Sequence, residues 1–369
     1  MGEGRERIGS KSGLNPPFRA DHVGSLLRPA ELVRARALQT PDREEVQAKA
    51  IRAVVARQEA IGLEAVTDGE FSRDWWHLDF LAQLEGVTLA NNPGPKFDGT
   101  VEQPPVPNVT GKLRYSAPIM LEDFSFLKKT TRKTAKFTIP SPSMLHLRAG
   151  RAGISREAYP DLDEFWDDAA TAYRDAIAAF AKAGCTYLQL DDVSFAYLCD
   201  PKIRDNARRN GDDPAKLPRK YAETIRKALQ SKPSTMTITM HTCRGNFKSA
   251  FVAEGGYEPV AEAMFASGVD GFFMEFDTAR AGGFEPLRSV PKGKKVVLGL
   301  VSSKTGALED KEFLKKQIAE AARFVPLENL CLSPQCGFSS THHGNRLTED
   351  EQWRKLERVV QVARDVWRI

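Results

Sequence analysis

The chain is short of cysteine, has no long apolar run and carries no block of charge of one sign, and each shortage narrows what it can be. Five cysteines scattered over 369 residues are an odd number, too sparse for a disulfide framework. Free or metal-bound thiols in a reducing compartment, the cytoplasm by default, are therefore expected. No window approaches the roughly 18 consecutive apolar residues of a membrane span. Residues 1–14 lack the apolar core of a signal peptide and read as a disordered tail. The 53 basic and 49 acidic residues leave a charge of only +4. Basic clusters such as Lys128-Lys129 and Arg208-Arg209 are brief, so nucleic acid is not expected as a partner. No G-x-G-x-x-G follows the first apolar run and there is no P-loop, which counts against the nucleotide-binding open sheets.

What is present is a regular alternation. With 41% hydrophobic and 28% charged residues the chain can bury a sizeable core. Short apolar runs, each followed by a longer helical pattern, are the signature of repeated βα units. Strands are expected at 18–23, 63–67, 136–139, 186–190, 235–240, 271–274, 295–301 and 330–333. Helices are expected at 42–61, 163–183, 218–230, 259–266, 311–324 and from Thr348, where Glu351 completes a capping box, to about Trp367. Residues 91–118, rich in Pro and Gly, read as an inserted loop or hairpin after the second strand. Eight strands close a parallel barrel, so the expected fold is α/β, a single (β/α)8 barrel over residues 15–369 with its chemistry at the C-terminal strand ends.

Those strand ends carry an unusual set of side chains. The fifth strand delivers His241 and Cys243, two residues apart and so on one face of an extended segment. The sixth delivers Glu275 and the eighth Cys336, between Pro334 and Gly337. Zinc accepts imidazole nitrogen, thiolate and carboxylate in a tetrahedron, and three strand ends on one rim can supply these four ligands. A lone H-x-C is weak, since a buried Cys is more often an apolar filler; Cys185, Cys199 and Cys331 read that way. A free thiol, with a pKa of about 8.5, is only a few per cent thiolate at neutral pH. Zinc deprotonates it outright. Glu275, the weakest donor of the set, is the ligand an incoming sulfur would displace.

Taken in order, His22-Val23-Gly24-Ser25, Thr67-Asp68-Gly69-Glu70, Gln189-Leu190-Asp191-Asp192, His241-Thr242-Cys243, Phe273-Met274-Glu275 and Ser333-Pro334-Gln335-Cys336-Gly337 resemble the catalytic half of cobalamin-independent methionine synthase. The likeness is greater to its short, single-barrel relatives. It runs from about residue 18 to the C-terminus. The resemblance implies zinc on His241, Cys243, Glu275 and Cys336. It also implies an amino-acid thiol, homocysteine, held by Gly24, Ser25, Glu70 and Asp191. Carboxylates suit its ammonium, and a hydroxyl with backbone N–H groups suits its carboxylate. Helix capping is the plainer role for Ser25 and Asp191. Trp75 and Trp76 would sit at the barrel mouth, to stack on a flat donor or to pack the rim.

Two departures limit what the resemblance carries. There is no room for the second, N-terminal barrel of the full-length enzymes. The family's proton-donating His after the seventh strand is also missing from Leu300-Val301-Ser302-Ser303-Lys304, so a folate donor does not follow. His22, His77, His342 and His343 are the alternative proton sources. The leading expectation is a zinc-dependent thiol methyltransferase taking a homocysteine-like thiol and a methyl donor, of 5-methyltetrahydrofolate type or other, with the oligomeric state open. The alternatives are alkyl transfer to another thiol, in the manner of epoxide:coenzyme M transferases, and a zinc hydrolase or non-catalytic metal-binding barrel. Hydrolase sites are usually richer in His or carboxylate.

Overall fold

The computed structural model describes residues 15–90 and 105–369; the tail expected over residues 1–14 lies outside them, as does the first half, residues 91–104, of the expected insertion. In chain order the strands are β1 (Ala65–Val66), β2 (Glu85–Ala90), β3 (Val106–Arg114), β4 (Thr134–Pro140), β5 (Tyr187–Asp192), β6 (Thr237–Thr242), β7 (Gly271–Glu275), β8 (Lys295–Val301) and β9 (Leu330–Pro334). Seven of them form one parallel, strongly curled sheet in the order β1-β4-β5-β6-β7-β8-β9. With helices interleaved between its strands, the architecture is TIM-barrel-like. β2 and β3 make a separate antiparallel pair; β3 falls within the loop or hairpin expected at 91–118, whereas β2 precedes it.

The expected second to eighth strands are thus β1 and β4–β9, and the first is where the structure differs. Residues 18–23 contribute a single parallel bridge, Ala20 to Leu332, with Asp21 N–H donating to Leu332 O and Leu332 N–H to Arg19 O. The reason is local competition. Pro16 and Pro17 have no N–H to donate, and the Asp21 carboxylate accepts the N–H groups of Phe18 and His22. Those donors are lost to a ladder. This segment lies against the far edge of the curled sheet without adding an eighth strand.

The helices form for ordinary reasons. Leu162–Lys182 buries Phe165, Ala169, Tyr173, Ala176 and Phe180 along one stripe, the three-to-four spacing of a core-facing helix. Asp161 caps it by accepting Asp163 N–H, and Gly184, in the left-handed region at φ +86°, lets the chain turn out of it. Glu349–Trp367 starts at the expected capping box, with Thr348 and Glu351 satisfying each other's backbone N–H. β5, β7 and β9 are buried at every position, as strands covered on both faces must be. No helix among the described residues is long and apolar enough to cross a membrane.

Candidate functional site

Parallel register puts the chemistry at one rim. Asp191 on β5 pairs with His241 on β6, and His241 with Phe273 on β7, leaving Glu275 to pair with Gly299 on β8. Cys243 leaves β6 with its N–H on Asp192 O. Cys336 leaves β9 after Gln335 N–H has bonded Val301 O. His241, Cys243 and Cys336, all buried, bring one ligand atom each to within 4.8 Å of one another.

This trio has the marks of a metal site. Both ring nitrogens of His241 are buried with no hydrogen-bond partner, which a packed core histidine would rarely tolerate. Burial opposes charge on the imidazole, yet Cys336, then Asp191 and Glu275, outweigh it and raise its pKa. The hydrogen bond from Cys243 holds the Cys336 thiol well below its ordinary range. The same contact pushes the Cys243 thiol well up, so one proton is shared between two sulfurs, and two sulfurs with an imidazole are a donor set that fits zinc.

Glu275 is fully buried but turns elsewhere: Arg244 N–H donates to its Oε2 at 2.8 Å, and the Arg280 guanidinium donates to Oε1. Burial works against its charge, but Lys304, Arg244 and Arg280 prevail and hold its carboxyl below the usual range. The trio and Glu275 are therefore neighbours rather than one closed cluster.

Ser25, Glu70, Trp75, Trp76, Asp191, His241, Cys243 and Cys336 all line one cavity. Gly24 stands behind it. A Cβ there would meet Thr138 Cγ2 at 2.9 Å and Glu70 Oε1 at 3.0 Å. Ser25 caps no helix; its Oγ accepts Ser339 N–H at 3.3 Å. Nor is Asp191 a cap. That task falls to Asp192, which accepts Phe195 N–H, while Asp191 Oδ1 accepts from Gln189 Nε2 at 2.7 Å.

Glu70 is held in a costly conformation, φ +60°, in a region that non-glycine residues seldom occupy. Its N–H is fixed by Asp68 Oδ1 and its Oε1 accepts from Thr138 Oγ1, whereas Oε2 is buried without a partner. Burial pushes its carboxyl up to about 7, with Arg73 pulling down and Asp191 pushing further. Burial likewise lifts Asp191 to about 6, against the pull of His241. The two carboxyls thus line the same cavity.

Of the candidate proton sources, His77 lines the cavity and His22, His342 and His343 do not. His22 is buried, and its imidazole falls to about 4 through burial and then Lys136. His342 and His343 sit edge-on to Trp75, which stacks on Phe247 at 5.9 Å.

Three contributors had no motif to announce them. Arg28 ties the rim together, donating to Glu70 O, Arg73 O, Thr341 O and Ser339 Oγ. Lys304, in the stretch where the family's His is missing, donates to Gly245 O at 2.7 Å and favours the anionic forms of Glu275 and Cys336. Arg148 lines the cavity from a turn the strand pattern did not single out.

Comparison with known proteins shows what the chain is similar to. The family model described as "Cobalamin-independent synthase, Catalytic domain" matches residues 28–365. A Bacillus subtilis relative, the uncharacterized protein YxjH, is 47% identical over 363 residues, 95% of each chain. The crystal structure of a Listeria monocytogenes protein assigned to vitamin-B12-independent methionine synthase superposes with a TM-score of 0.77 at 39% identity, covering 96% of this chain and 99% of that one. A B12-independent methionine synthase from Shewanella sp. W3-18-1, solved with selenomethionine, shares the fold at 20% identity and TM-score 0.73, covering 95% and 98%.

Proposed function

The chain belongs to the cobalamin-independent synthase catalytic-domain family, and from that premise we propose that it is a zinc-dependent methyltransferase acting on the sulfur of homocysteine or a close analogue. The observation that carries the reading is the buried His241, Cys243 and Cys336 trio opening into the cavity that Glu70 and Asp191 also line. The three residues would hold zinc, with Glu275 as a fourth, displaceable ligand. When bound, zinc supplies a Lewis acid that keeps a thiol deprotonated and its sulfur nucleophilic at neutral pH.

The rest of the work falls to the chain. Glu70 Oε2, which has no partner, and Asp191 receive the ammonium group of the amino acid. Ser25 and the backbone beside it receive its carboxylate. Held at both charged groups, the acceptor has its sulfur end left to face the thiolates, which is the orientation a displacement needs. Trp75 and Trp76 cover the mouth and exclude water from the reacting groups. The complex of the Shewanella structure, with a selenium analogue of methionine, supports a methionine-like product. The methyl donor is 5-methyltetrahydrofolate or another carrier.

Zinc analysis of protein purified without chelator tests the premise, and about one ion per chain is expected. X-ray absorption on addition of homocysteine should then show an oxygen neighbour exchanged for sulfur. An unchanged spectrum would refute homocysteine as acceptor, and absence of stoichiometric zinc would refute the whole reading.

A further inference from the structure

The cavity has a second charged end that the proposed acceptor does not use. Arg148 lines it, and its Nε and Nη1 atoms are buried with no hydrogen-bond partner. Three guanidiniums more deeply buried than this one have acceptors for both terminal nitrogens or a facing carboxylate. Arg28 binds five oxygen acceptors, Arg73 binds Thr138 and faces Glu70, and Arg244 binds Gly255 O, although Nε of Arg28 and of Arg73 has no partner. Among the described residues no carboxylate pairs with Arg148, and burial lowers its pKa against only the Tyr197 phenol. Arg148 is only partly buried, but two of its guanidinium nitrogens are withdrawn from water with no acceptor or counter-charge, which is unfavourable and points to a ligand.

His77 stands beside it. Its ring packs on Trp76 with centroids 4.5 Å apart, both of its nitrogens are buried and unpartnered, and burial and then Arg148 keep it neutral. A neutral imidazole still offers one N–H. The backbone bearing Arg148 is not slack either: His146, two residues earlier, has Nδ1 at 3.0 Å from Tyr221 Oη and Nε2 at 3.5 Å from Asp212. Tyr197 connects the two ends, since its phenol feels Arg148 as well as Cys243, Glu275 and Cys336.

We propose that Arg148 and His77 form an oxoanion subsite in the cavity wall, filled by a carboxylate, sulfonate or phosphate of the second substrate. Guanidinium and imidazole N–H groups side by side are the donors such a group accepts. Glu70 and Asp191 would repel an anion, which separates the two substrates by charge. The methyl carrier is then anionic at the end that enters this wall. That last assignment rests on the methyltransferase reading; the anion site itself does not.

The test uses the zinc-loaded protein and inorganic phosphate, then methanesulfonate and acetate, at constant ionic strength. Trp75 and Trp76 report binding through their fluorescence. Saturable quenching is expected, weakened at least tenfold in Arg148→Met and only a few-fold in Arg148→Lys, which covers the case of a Met variant that does not fold. Absence of saturable binding in the native protein, or equal binding by folded Arg148→Met, overturns the subsite. In steady-state assays Arg148→Met should raise the KM for the donor and leave that for the thiol. The reverse split overturns the assignment to the second substrate. Phosphate binding that depends on Arg148, in a protein that fails to methylate any thiol, would refute the proposed function and leave the subsite standing.

Discussion

Ser25 occupies the space that a side chain at position 337 would need: a Cβ on Gly337 would fall 1.9 Å from Ser25 Oγ. The contact binds the loop after residues 18–23 to the loop carrying Cys336, and Phe338 N–H donating to Ser25 O at 2.9 Å reinforces it. Gly337→Ala must therefore push the two loops apart. The expected cost is about 1–3 kcal/mol of stability, the usual range for overpacking, read as a lower melting temperature. Because Ser25 is the proposed carboxylate partner, the KM for the acceptor should rise by roughly tenfold or more, about 1.4 kcal/mol. An unchanged KM would separate Ser25 from substrate binding.

The thiols should divide cleanly. Cys336→Ala removes one of three clustered ligand atoms and should weaken zinc by more than the roughly 10–100-fold lost when only a group supporting a ligand is removed. Cys331→Ala empties a position packed among Val23, Phe273 and Val297, where burial raises the thiol to about 11. That variant should lose stability and keep its metal. Metal analysis after dialysis against a weak chelator distinguishes the two, and equal zinc retention would undo the ligand assignment.

This division was legible in the sequence because the period of a strand places His241 and Cys243 on one face and the chain order places Cys336 at another strand end of the same rim. Glu70 and Asp191 were singled out by the family resemblance instead, and both line the cavity. The strand pattern could not say that Asp192 would cap the helix that follows and leave Asp191 to the cavity; only the direction of each side chain separates adjacent acids. Nor could it foresee that the Asp21 carboxylate would accept the N–H groups a first strand needs. Arg148 was invisible for another reason: it lies on a turn, where no periodicity marks a residue as inward-facing.

The acceptor site should be sensitive to pH just below neutrality. Burial sets the Glu70 carboxyl at about 7 in the ligand-free protein. Above that value it is charged and attracts an ammonium group; as pH falls through it, the carboxyl takes a proton and the attraction is lost. Affinity for methionine, whose ammonium meets the same carboxyl but whose sulfur has no proton to release, should accordingly level off above about pH 8 and fall by up to tenfold for each unit below about 6.5, about 1.4 kcal/mol per unit. Glu70→Gln should bind weakly at every pH with that slope flattened. A native profile that stays level between pH 5.5 and 8 would remove Glu70 from ammonium recognition.

In the proposed reaction Glu275 would have two places to be, and Arg280 would govern the choice. In the structure Arg244 N–H and the Arg280 guanidinium hold its carboxylate, so any bond to zinc has to compete with them. The competition suits a ligand that must leave: a carboxylate released into a buried site unpaired would be strongly disfavoured, whereas here a guanidinium receives it. Arg280→Met takes that receiver away. Zinc should then bind more tightly, by roughly tenfold if one charge-assisted hydrogen bond of about 1.5–3 kcal/mol is only partly recovered by Arg244. Homocysteine should displace the carboxylate less readily, so the oxygen neighbour in the zinc absorption spectrum should persist to higher thiol concentration than in the native protein. Weaker zinc binding in Arg280→Met, or an unshifted thiol titration, would mean that Arg280 supports Glu275 as a ligand rather than competing for it.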